Sequence, residues 1–185
     1  MVITRRQFLK YCSIAAGALG LTATDLMKLE NALANTNGLP VIWIAGQACS
    51  GCITSLANTV FYSTIQNLLL LGSDATSLEL KFNETLMAAM SNEATQQTPE
   101  ITNEAFALAV EGAVTPTAGY CEIGSYTGAL SENMSAVVSA LATHANCAKI
   151  LTIGTCASYG GVPAAAGNVT SAKSVLAHLQ ATLGA

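Results

Sequence analysis

The sequence predicts an α/β fold built on a doubly wound parallel sheet, and three observations predict it. Strand-like runs recur at 41–45, 78–82, 106–110 and 149–153, intervals that suit crossover helices. The stretches between them carry helical composition, and strand–helix alternation implies parallel strands joined by right-handed crossovers. The first run empties directly into Cys49-Ser50-Gly51-Cys52. Two thiols then sit at a strand's carboxyl end, where open α/β sheets collect ligands.

Each element has its own warrant. Val41, Ile42, Trp43 and Ile44 make the first strand a continuous apolar run. From 53 to 71, Ile53, Leu56, Val60, Ile65, Leu68 and Leu69 fall on one buried stripe of a helix. Residues 84–96 and 132–142 are also expected to be helical, the second with Ser131 as its N-cap. Residues 154–167, rich in Gly, Ala and Ser, read as a loop. The last helix is expected over 171–183, with Val175, Leu176 and Leu179 apolar and a further strand expected to follow it. His144 and His178 fall on predicted helices away from the thiol-bearing edge and read as ordinary surface residues.

The N-terminus speaks to compartment. Arg5-Arg6 is followed by Phe8, Lys10 and an uncharged, Ala- and Gly-rich stretch from Tyr11 to Ala23. That stretch is far shorter than the roughly 20 residues a spanning helix needs. Residues 1–34 therefore read as a twin-arginine signal peptide, with Ala32-Leu33-Ala34 as the small-x-small cleavage site. The expected location is the periplasm, with membrane association a further expectation. This route carries folded, cofactor-loaded cargo, so cysteines already holding a metal would escape oxidation to disulfides.

Beyond residue 34 the chain has three bases, Lys81, Lys149 and Lys173, against nine acids, a net charge of −6. Nucleic acid and anionic lipid are excluded as partners on that balance. Only 10% of the whole chain is charged and 51% is hydrophobic. So little charge on a single domain points to a large surface hidden against another subunit.

Five cysteines lie outside the signal: Cys49, Cys52, Cys121, Cys147 and Cys156. If the sheet is as drawn, Cys49, Cys52, Cys121 and Cys156 follow strands and share one edge. Cys147 precedes its strand and reads as a small core residue at the other edge. Gly46 and Gly51 flank the first pair, and Gly154, Gly160 and Gly161 surround Cys156. Glycines let backbone approach a bulky sulfide cage and direct N–H groups at it. The spacing favours iron–sulfur and leaves zinc, a redox disulfide and structural thiols as alternatives.

Five segments, in order, resemble the small, electron-transfer subunit of periplasmic nickel–iron hydrogenases, including the selenium-containing branch. They are Val41-Ile42-Trp43-Ile44 with Cys49-Ser50-Gly51-Cys52, Glu84-Thr85-Leu86-Met87-Ala88-Ala89, Val110-Glu111-Gly112-Ala113, Tyr120-Cys121-Glu122-Ile123-Gly124, and Gly154-Thr155-Cys156 running on to Ala165, with Asn168-Val169-Thr170 behind it. The resemblance implies a flavodoxin-like domain over 35–185, cut before a C-terminal domain with further iron–sulfur clusters. It implies a proximal 4Fe-4S cluster held by Cys49, Cys52 and Cys156, with a fourth ligand beyond Ala185 and Cys121 a neighbour of the cluster. It further implies a hydrogenase large subunit as partner, on which H2 is oxidised at nickel and iron, and a downstream acceptor such as a c-type cytochrome. Glu84 and Glu111 would either line the subunit interface or a proton path, or satisfy loop backbone. Ala48 stands where the family commonly has an acidic or polar residue. Two other readings are a cluster-free flavodoxin-like docking module and a zinc-stabilised structural domain.

Overall fold

The computed structural model describes residues 38–59, 78–86, 102–123 and 132–184. In chain order these form β1 (Leu39–Ala45), α1 (Gly51–Ala57), β2 (Leu78–Asn83), β3 (Phe106–Glu111), β4 (Glu122–Ile123), β5 (Glu132–Asn133), α2 (Met134–Ala142), β6 (Cys147–Ile153), α3 (Gly154–Tyr159) and α4 (Val175–Leu183). The main sheet runs β2-β1-β3-β6 and every pairing in it is parallel. Numbered among themselves, these strands are ordered 2-1-3-4, as in the flavodoxin-like family of doubly wound sheets. β4 and β5 pair antiparallel in a separate small ribbon.

All four strand expectations hold, with ends extended by one or two residues. The central pair explains why its sequence is apolar without alternation: strands covered on both faces cannot spare a polar side. Val41 and Trp43 of β1 join Ala107 and Ala109 of β3 under Ile53 of α1. Ile42 and Ile44 join Phe106, Leu108 and Val110 on the opposite face, under Val137, Val138 and Leu141 of α2 and Val175 of α4. Helices on both faces make the sheet doubly wound. At the outer edge, β6 stays exposed along most of its length, Ile150 and Leu151 included.

Three expectations need correction. The helix expected over 132–142 begins at Met134, because Glu132 and Asn133 pair in β5. Asn133 is the N-cap, its side-chain oxygen accepting the Ser135 N–H at 3.0 Å, and Ser131 lies outside the described residues. The loop expected over 154–167 opens with helix α3, which Ala157 anchors by burying against the core. The last helix starts at Val175, where Ser174 accepts the Ala177 N–H at 3.1 Å. Of the helix expected over 53–71, the stretch through Ala57 is helical, and 84–86 form a turn held by Asn83 Oδ1. Residues 60–77 and 87–101, on which the rest of those two expected helices falls, lie outside the described residues.

His178 is not a surface residue: it is 6% exposed between α4 and α2. Its Nε2 lies 2.8 Å from Ser139 Oγ and 3.2 Å from the Ser135 carbonyl oxygen. Burial pulls its pKa below the usual 6.5, and Lys173 adds to the shift against the opposing Ser135 contact. The unfolded chain then binds the proton more readily than the folded one. The contribution of His178 to stability is therefore complete above 6.5 and falls as the pH drops below it. The His178 share reads out as a difference: below pH 6.5 the denaturation midpoint of the parent should fall relative to that of His178→Gln as the pH drops.

Candidate metal centre

β1 and β3 leave the sheet side by side, and their extensions shape the first half of the site. Gly46 N–H donates to the Glu111 carbonyl at 2.7 Å, and Gln47 and Ala113 exchange both backbone hydrogen bonds at 2.9 and 3.2 Å. A Cβ on Gly46 would meet Ala113 O at 2.5 Å, so only glycine permits this approach. Ser50, in the left-handed region at φ 59°, turns the chain into α1. Cys49 thus precedes the helix and Cys52 lies in its first turn.

The second half follows β6. Gly154 at φ 80° starts α3, which carries Cys156, and Gly160 N–H closes that helix on the Cys156 carbonyl at 2.8 Å. The two halves touch: a Cβ built on Gly154 would stand 2.5 Å from Cys52 Sγ. One on Gly161 would stand 2.6 Å from Cys156 Sγ, and one on Gly51 3.0 Å from Cys49 Sγ. Each of the three thiols is thus bordered by a glycine: a methyl group has no room at Gly154 or Gly161 and would crowd Cys49 at Gly51. Cys49 and Cys156 line one cavity of about 720 Å³ together with Gln47, Ala48 and the loop from Val162 to Thr170. Burial pushes the Cys52 thiol up from its ordinary pKa, and Glu111, Cys49 and Cys156 push the same way.

Cys121 has different surroundings. It packs, half-buried, against the core, with Glu84 and Glu122 as its charged neighbours and burial raising its thiol pKa. Cys147 opens β6 at the opposite edge, packed against the core with Sγ 3.7 Å from the Lys149 carbonyl. All five are free thiols. Among the described residues, no three His, Cys, Asp or Glu side chains close around the point a single ion would occupy. A closed tetrahedral zinc site needs that closeness. A multi-iron cage holds its thiolates further apart and needs backbone without side chains beside them; Cys52 has Cys49 and Cys156 among its charged neighbours, and a glycine borders each of the three sulfurs.

Two carboxylates stand behind the thiols. Glu111 is 1% exposed and accepts hydrogen bonds from Trp43 Nε1 at 3.3 Å and from Cys52 N–H at 3.2 Å. Glu84 accepts the Ala45 N–H on both oxygens at 3.1 and 3.2 Å. Burial raises Glu84 to about 7, backbone hydrogen bonds oppose the shift, and Glu111 reinforces it. Both therefore satisfy backbone where β1 and its continuation leave the sheet.

No sequence pattern announces the web of hydroxyls beside the cavity. Thr115 Oγ1 and Thr117 Oγ1 both donate to the Thr170 carbonyl, the second at 2.7 Å, and Thr170 Oγ1 donates to Gln47 Oε1 at 3.0 Å. Gln47 adjoins the cysteine motif, but its partner lies 123 positions away, and only the fold joins them.

A model of the family described as NADH ubiquinone oxidoreductase, 20 Kd subunit, matches residues 49–183. The small subunit of the periplasmic NiFeSe hydrogenase of Desulfomicrobium baculatum is 38% identical over 184 residues, covering 95% of this chain and 56% of the relative. The hydrogenase-1 small chain of Escherichia coli (strain K12) is 35% identical over 176 residues, covering 94% of this chain and 44% of the relative. Among solved structures, the reduced, active Ni-Fe-Se hydrogenase of Desulfomicrobium baculatum matches with a TM-score of 0.66 at 34% identity, over 78% of this chain and 52% of that one. The chain spans about half the length of the curated relatives it matches.

Proposed function

Because the chain belongs to the NADH ubiquinone oxidoreductase 20 Kd subunit family, we propose that it is the electron-transfer subunit of a nickel–iron uptake hydrogenase. Oxidation of H2 releases two protons and two electrons on a large-subunit partner, and this chain takes up the electrons. The observation that supports the reading is the approach of Cys49 and Cys156 to Cys52 at one edge of the sheet, each sulfur bordered by a glycine whose missing side chain leaves it uncrowded. These cysteines supply three thiolates to a proximal 4Fe-4S cluster. When bound, that group supplies a one-electron relay.

The protein's own contribution is to hold and tune. The Cys52 thiol resists ionisation in this setting, so ligation releases a proton that the protein would otherwise keep. Glu111 fixes the Cys52 backbone from below and ties it to Trp43 on the central strand. On the cavity wall, Val162 and Val169 are exposed apolar side chains, as a docked large subunit would require. Residues 1–34 are proposed as the twin-arginine signal, 35–185 as the cluster-binding unit, the periplasm as the location, and a c-type cytochrome as the acceptor. Among the described residues, no helix is long and apolar enough to cross a membrane.

Co-expression with the large subunit and anaerobic purification test the reading. Iron and acid-labile sulfide should accompany the chain, with an electron paramagnetic resonance signal that responds to H2. Absence of both elements would make it a cluster-free docking module, and zinc in their place a zinc-stabilised domain.

A further inference from the structure

We infer that Gln47 sets the reduction potential of the group held at Cys49, Cys52 and Cys156, by donating a hydrogen bond from its side-chain amide to sulfur. This rests on the iron–sulfur reading of that site. Gln47 lines the same cavity as Cys49 and Cys156. Its backbone is pinned by two hydrogen bonds to Ala113, a residue with no solvent exposure. Its side chain is pinned as well. Thr115 and Thr117 fix the Thr170 carbonyl, and the Thr170 hydroxyl donates to Gln47 Oε1 at 3.0 Å.

A carboxamide has one accepting end and one end with two N–H donors. Thr170 occupies the accepting end, and the Gln47 NH2 has no partner among the described residues. The web therefore fixes a side chain with a free donor end on the wall of a cavity of about 720 Å³ that Cys49 and Cys156 also line. N–H donation to sulfur favours the more negative, reduced state of an iron–sulfur group and so raises its potential.

The test is a redox titration of the assembled two-subunit protein, followed by electron paramagnetic resonance, after iron and sulfide have been counted. Gln47→Leu removes the donor and should lower the reduction equilibrium constant about tenfold, which is about 59 mV for one electron. Gln47→Glu keeps the acceptor for Thr170 but turns a carboxylate toward sulfur, and should lower it further. Thr170→Val frees the amide to rotate and should shift it the same way by less, a result independent of whether the Gln47 variants load fully. Equal potentials in the parent and all loaded variants would overturn the role of Gln47 while leaving the cluster reading intact. A parent protein without iron and sulfide would overturn both.

Discussion

Cys156→Ala empties the site while the sheet persists: iron and acid-labile sulfide are expected to fall well over tenfold in the purified complex. Outer-sphere substitutions already cost about 10–100-fold in metal affinity, and loss of a thiolate exceeds them. The fold should tolerate the change, because Cys156 is only partly buried and the core contact of α3 comes from Ala157. Far-ultraviolet circular dichroism should therefore be unchanged. Cys147→Ala is the matched control, since that thiol opens β6 at the far edge of the sheet, and full iron content is expected. Equal iron loss in both variants would remove the distinction between the thiol-bearing edge and the other one.

Glu111→Ala should be the most destabilising single change near the site. It orphans the Trp43 indole N–H and the Cys52 amide at a position that is 1% exposed. Each buried donor left alone costs about 1–3 kcal/mol, offset in part because a carboxylate need no longer be desolvated. A net loss of about 2–4 kcal/mol is expected from chemical denaturation. A second signature separates this from a packing defect. Glu111 is one of the groups that raise the Cys52 thiol, so its removal should let Cys52 ionise at lower pH. Thiol alkylation followed against pH in cluster-free protein reads that shift.

The central strands β1 and β3 were legible because each is a short apolar run, and burial on both faces writes that pattern directly; β2 and β6 were read from strand-like patterns that keep Glu79, Lys81, Lys149 and Thr152. The placement of Cys49, Cys52 and Cys156 at one edge was legible because C-x-x-C and the Gly154-Thr155-Cys156 turn both follow strands, and parallel strands end on one edge. What stayed hidden depends on tertiary partners. Ala157 makes a helix out of a stretch whose Gly, Ala and Ser content reads as loop. Asn133 outcompetes the expected cap because β5 holds its backbone extended before the helix. His178 is buried through serines 39 and 43 positions away, and no local pattern announces such a pairing. Thr170 and Gln47 are the extreme case, unremarkable alone and a rigid unit once folded.

The bare strand β6 sets a hierarchy of opening across the sheet. β3 is paired on both sides, whereas among the described residues β6 is paired only with β3 and its middle lies in water. Sub-global opening should therefore begin at β6 and reach β1 and β3 last. Cys156 rides on the helix that follows the weakly held strand, while Cys49 and Cys52 follow a central one. A group ligated by all three thiols is thus a staple between the part of the sheet that frays first and the part that frays last. Binding only to the closed form, it lifts the opening free energy of the edge toward that of the centre. Amide exchange along β6 then becomes a reporter of site occupancy, at a distance from the sulfurs themselves.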